Sequence, residues 1–106
     1  MFKFIIDEQE YILEWDRKTI IWIESQGLNI SRLDERLFGN TFLLFKGMLK
    51  KHHSHIATNE ALLGDLFDKF VEHYELSDFM EVAIQGMVNF IQTTQENSQK
   101  AKLIRA

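Results

Sequence analysis

One stretch limits the folds open to this chain more than any other. Leu62, Leu63, Leu66, Phe67, Phe70, Val71 and Tyr74 recur at three- and four-residue steps. That period marks an amphipathic helix, whose apolar stripe must be covered. Thr58 is placed to cap it, and Glu60 sits in its first turn, where a carboxylate meets the positive end of the helix dipole. The rest of the chain must supply the cover. With 106 residues, no Cys and no Pro, it does so without disulfides, a cysteine zinc site or a Cys nucleophile. A hydrophobic share of 45% is too high for disorder and enough for one core.

Part of the cover is a β-hairpin over residues 1–15. Phe2, Phe4 and Ile6 fall on one face at period two, and Tyr11, Leu13 and Trp15 do the same after a polar break at Asp7-Glu8-Gln9. Two such runs around a three-residue turn read as a hairpin that needs a helix to pack against. Asp16 is a good N-cap for a segment Arg17 to Gln26. Its isoleucine run is poor for an isolated helix, so a strand competes with a short buried helix there. Gly27 offers the stop, and Leu28 the apolar contact that accompanies it.

Further helical segments follow. Ser31 with Asp34 resembles a start signal. Gly39-Asn40 breaks the pattern, and Thr41 can cap a helix carrying Phe42, Phe45, Met48 and Leu49 on one stripe. Lys50 and Lys51 suit the negative end of that helix, and His52 to Ala57 reads as a connector. Ser77 can cap a last helix bearing Phe79, Val82, Ala83, Met87, Phe90 and Ile91. From Gln92 the chain turns polar. The expectation is an α+β fold: a hairpin (1–15), then about four helices (16–91), forming one domain over 1–92 with a loose tail at 93–106.

Charge is uneven within a net of −4. Residues 1–57 are balanced, whereas 58–81 carry Glu60, Asp65, Asp68, Glu72, Glu75, Asp78 and Glu81 against Lys69 alone. This acidic stretch reads as a solvated helix face or as a patch that orients a basic partner. No signal peptide or bilayer-spanning run is visible, and the expected location is the cytoplasm.

Catalytic templates are missing: no GxGxxG, P-loop or GxSxG occurs. The cluster Lys50-Lys51-His52-His53-Ser54-His55 could in principle ligate a metal with His73, but adjacent lysines oppose a cation. The expectation is no enzyme, no metal and no cofactor. Apolar surplus stands out instead. Phe42, Leu43, Leu44, Phe45, Met48 and Leu49, then Met80, Ile84, Met87, Val88, Phe90 and Ile91, exceed what one core stripe needs, and Phe42, Phe45, Met48 and Leu49, with Met80, Met87 and Phe90 next, are the expected partner-binding residues.

The opening FKFIIDEQEYILEWDRKTIIWIESQGLNI resembles the start of the small tail assembly chaperones of long-tailed phages of Gram-positive hosts, in the form F-x-[VI]-D-G-x-E-Y-x-L-x-[FW]-[DN]-R. The segment LFGNTFLLFKGMLKKHHSHIATNEALLGDLFDKF resembles the family's next part, a Phe-rich helix ending in a His-His pair before an amphipathic helix. Glu8 stands where a turn glycine is common, and no Pro precedes the Phe-rich helix. The resemblance implies a homo-oligomeric chaperone that binds the helical tape-measure protein, keeps it soluble, helps recruit tail-tube protein and leaves before the tail is complete. A small phage regulatory DNA-binding or anti-repressor-like protein is the competing reading. There Lys50, Lys51 and the histidines would contact phosphates.

Overall fold

The chain opens as a tight hairpin. In the computed structural model, which describes residues 1–96 and 103, β1 (Phe2–Ile6) pairs antiparallel with β2 (Gln9–Leu13). Ile6 stands opposite Gln9, so the turn is two residues long rather than three. Asp7 and Glu8 both take positive φ, 51° and 67°. Left-handed backbone at both turn positions is the type I′ geometry, whose twist matches that of paired strands. The alternation predicts the faces correctly: Phe4, Ile6, Tyr11 and Leu13 are buried, while Lys3 and Glu10 pair on the outer face at 2.9 Å.

Asp16 then starts α1 (Arg17–Ser25) through a reciprocal capping box. The Thr19 amide donates to the Asp16 carboxylate at 2.8 Å, and the Asp16 amide donates to the Thr19 hydroxyl at 2.8 Å. The β-branched run is helical because Ile20 and Ile23 enter the core, where burial outweighs a propensity deficit of a few tenths of a kcal/mol per residue. Gly27 ends the turn at φ 75°, as its position predicts, and Leu28 packs on the core.

The next boundary differs from expectation. Ser31 is not a cap: Asn29 accepts from the Ser31 amide at 3.0 Å and opens a 3₁₀ segment, Ile30–Arg36. That segment runs directly into α2 (Leu37–Leu49), which passes through Gly39 and Asn40 unbroken. Thr41 is therefore inside the helix, its hydroxyl donating to the Leu37 carbonyl at 2.6 Å. The connector contains one short turn of helix, α3 (Ser54–Ala57). Asn59, not Thr58, caps α4 (Glu60–His73) by accepting from the Ala61 and Leu62 amides. Ser77 lies inside α5 (Leu76–Glu96), and Gln92–Glu96 continue that helix instead of fraying. The rest of the expected tail, 97–102 and 104–106, lies outside the described residues.

Aromatic rings tie these elements together. Phe4 stacks on Tyr11 at 5.0 Å and meets Phe70 of α4 edge-on at 4.9 Å. Phe45 of α2 touches Phe70 at 4.9 Å, and Phe70 meets Phe79 of α5 at 5.1 Å. Such pairs each contribute about 1 kcal/mol beyond the area they bury. The hairpin needs hydrogen-bond partners on its outer edges too, two from side chains and one from the main chain. The Ile5 amide donates to the Tyr74 hydroxyl at 3.1 Å, the Ile12 amide to His53 Nε2 at 2.9 Å, and the Glu14 amide to the Met48 carbonyl at 3.0 Å. These contacts satisfy donors that an isolated two-stranded sheet leaves to water.

Candidate functional site

The continuous α2 helix places two large apolar side chains where the sequence puts a break. Leu37 and Phe38 lie in its first turn and remain 45% and 56% exposed. Phe38 is fixed on one side by an edge contact to Phe67 at 5.5 Å, and Phe42 meets the same ring at 5.0 Å. Facing them is the elbow between α4 and α5. Tyr74 turns extended there, at φ −128° and ψ 145°, which ends α4.

Between these walls lies an open groove of about 590 Å³, with Leu37, Phe38, Val71 and Leu76 supplying its apolar surface. Glu72 and Glu75 stand on its rim. A narrower apolar cleft of about 180 Å³ runs on the other side of the elbow, between the hairpin and α5. Tyr74 and Glu75 line both, and Asp78 joins the second. Three of the seven acids of the run, Glu72, Glu75 and Asp78, thus stand beside apolar recesses. Such an arrangement can hold an apolar side chain and orient neighbouring cations.

The residues expected to bind a partner divide into two groups. Phe45, Met48 and Leu49 have no measurable exposure, and Met87 has 5%. They form the core, and a side chain packed on all sides cannot present a docking surface; for these four the expectation is corrected. Phe42, Met80 and Phe90 are only partly buried. Phe90 lines a pocket of about 360 Å³ floored by Trp15. Leu37, Phe38, Val71 and Leu76 were missed as a group. Their signal is the four-residue step from Phe38 to Phe42, visible only if the helix is carried through Gly39-Asn40.

The basic cluster is largely engaged within the molecule. Lys51 is ion-paired with Glu14, whose carboxyl is held below the usual range chiefly by that ammonium. His52 Nε2 lies 3.3 Å from the same carboxylate. Lys50 and Lys46 sit over the Trp22 ring at 4.3 and 5.6 Å. Burial pushes the Lys50 ammonium down, with Lys46 adding to it. His53 spends its Nε2 lone pair on the Ile12 amide, and burial holds its pKa low, followed by the influence of His52 and His55. Among the described residues, no group of three or more His, Cys, Asp or Glu side chains is placed to hold a metal ion.

A family model described as "Domain of unknown function (DUF5055)" matches residues 1–106. Neither the curated proteins nor the solved structures contain a significant match.

Proposed function

We propose that this chain, which belongs to the DUF5055 family, is a non-enzymatic assembly chaperone that holds an apolar helical segment of a partner protein. The observation that carries this reading is the groove at the start of α2. Two large apolar side chains, Leu37 and Phe38, stand exposed there beside a carboxylate rim. Covering a half-exposed Phe or Leu contributes about 1–2 kcal/mol each. The rim favours a segment whose apolar anchors are flanked by Lys or Arg. Holding such a segment requires surface and no covalent chemistry.

The resemblance to tail assembly chaperones supplies the identity of the client. The segment would belong to the tape-measure protein of a long-tailed phage, kept soluble in the bacterial cytoplasm while tail-tube subunits are recruited. No described helix is long and apolar enough to cross a membrane. The internal engagement of Lys50, Lys51 and His53 supports this reading over the DNA-binding one, which needs those groups free for phosphates.

Co-expression tests the proposal. The wild-type chain should keep a long helical tape-measure fragment in the soluble fraction. Phe38→Asp should lose that effect while its circular dichroism and melting midpoint stay near wild type. A fragment that precipitates equally with the wild-type chain, or stays soluble with Phe38→Asp, overturns the assignment.

A further inference from the structure

The hairpin and α5 enclose a crevice on the side of the elbow away from the groove. At one end is the recess of about 360 Å³ where Phe90 and Thr93 of α5 flank Trp15. At the other is the apolar cleft of about 180 Å³, walled by Leu13, Phe79 and Val82. Phe2 lines both, so the two follow one line along α5.

Two features mark what this crevice takes. A strand edge is open in it. The Ile12 amide points away from β1, to His53, so Lys3 opposite it belongs to a non-hydrogen-bonded pair. The Lys3 N–H and C=O therefore point outward beside the cleft, and neither has a partner among the described residues. Charge is the second feature. Glu75 and Asp78 stand at the elbow end of the cleft, and neither is ion-paired among the described residues. The Lys3 ammonium is taken by Glu10. An open edge, an apolar floor and two carboxylates fit an extended segment in which a cation follows an apolar residue.

This chain carries such a segment. Beyond α5 it reads Lys100-Ala101-Lys102-Leu103-Ile104-Arg105, with three cations and no acid. Leu103 is fully exposed, and the cleft is uncovered too. The reach is sufficient. From Val82 to Glu96 the helix rises about 21 Å, and from Asp78 about 27 Å, at 1.5 Å per residue. Extended chain carries Leu103 about 24 Å from Glu96, and Arg105 about 31 Å. We propose that residues 100–105 fold back along this crevice as an extended strap. The strap pairs with the Lys3 edge, lays Leu103 over the cleft and brings Arg105 to Glu75 and Asp78. The contact is within one chain, so it does not depend on concentration. It is also separate from the groove, so its test does not depend on the client reading.

Disulfide trapping tests the strap in the full chain, which has no cysteine of its own. Val82→Cys with Leu103→Cys should close under mild oxidation at one chain mass, at a rate independent of protein concentration. Val88→Cys with Leu103→Cys is the control. Val88 is nearer the end of α5 but lines neither recess. The Val82 pair should close at least tenfold faster. Adding Glu75→Lys and Asp78→Lys, or deleting residues 100 and 101, which shortens the reach by about 7 Å, should remove that advantage. Equal rates for the two pairs overturn the proposal. So does an advantage that survives both the charge reversal and the deletion, or a disulfide that joins two chains and grows with concentration. If Val82→Cys lowers the melting midpoint, hydrogen exchange at the Lys3 amide decides instead. That amide should be protected in the wild-type chain and exchange at least tenfold faster in Leu103→Asp with Ile104→Asp. Equal exchange in the two overturns the strap.

Discussion

The Trp15 indole Nε1–H donates to the Ala83 carbonyl oxygen at 2.8 Å, in a buried contact that joins the end of the hairpin to the middle of α5. The ring is held in place because two helix glycines let it in. A Cβ on Gly47 would lie 3.0 and 3.1 Å from Trp15 ring carbons, and one on Gly86 3.3 Å from its Cδ1. The cost of glycine in a helix is about 1 kcal/mol relative to Ala. At Gly47 that cost is offset by the packing it permits. Gly47→Ala should be destabilising by about 1–2 kcal/mol net, since overpacking a core costs about 1–3 kcal/mol. Gly64, with nothing within 4 Å of its Cβ position, is the control. Gly64→Ala should be stabilising by about 0.5–1 kcal/mol. Opposite shifts of the two urea midpoints check this.

The hairpin turn carries a second prediction. Asp7 and Glu8 hold positive φ without being glycine, and Lys69 anchors the turn by an ion pair to Asp7 at 2.9 Å. Left-handed backbone costs an L-residue about 1–2 kcal/mol, of which glycine recovers part after its own entropy cost. Glu8→Gly should therefore raise stability by about 0.5–1 kcal/mol. It keeps the Asp7–Lys69 pair, and chemical denaturation reads the change.

How much of this was legible beforehand depends on how local the cause is. The hairpin faces and α4 follow from period alone, since burial on one side imposes it. The N-cap at Asp16 and the stop at Gly27 are equally local, whereas the return bond to Thr19 that completes the capping box appears only in the structure. The start of α2 is not. Asn40, which usually favours a break, instead donates its side-chain amide to the Leu33 carbonyl at 3.0 Å, and so ties the 3₁₀ segment to the helix. The split of the apolar surplus into core and surface is less local still. Phe45 and Phe42 are three residues apart on one helix. Only the positions of the hairpin and α4 bury the first and leave the second partly open.

Acid should weaken the fold in two separable steps. His53 must be neutral to accept from the Ile12 amide, and burial holds its pKa below the ordinary 6.5. The unfolded chain therefore binds that proton first. The contribution is fully present above about pH 6.5 and is lost as pH falls through the lowered pKa of the folded state. Glu14, held low chiefly by the Lys51 hydrogen bond, contributes in the same sense, but its loss begins only below about pH 4.5. The His53 step should amount to about 1 kcal/mol or less, the net value of one part-buried hydrogen bond. In His53→Gln the slope between neutral pH and the carboxylate range should vanish, while the lower step remains. Urea unfolding at a series of pH values resolves the two.

Phe45 and Phe38 should respond oppositely when truncated, because they belong to different surfaces of one helix. Phe45 has no exposure and contacts Phe4, Phe67, Phe70 and Phe79. Phe45→Ala leaves a cavity at that junction and should cost about 3–5 kcal/mol. That is a large part of the 5–15 kcal/mol typical of a domain, so the variant should melt far lower or fail to fold. Phe38 is 56% exposed and touches mainly the Phe67 edge. Phe38→Ala should cost about 1 kcal/mol or less, since little buried area is lost. Its effect should instead be seen in client solubility, where the groove loses its most prominent side chain. Melting curves and co-expression, run on both variants, separate the two roles. Equal melting midpoints for the two would contradict the division between core and groove.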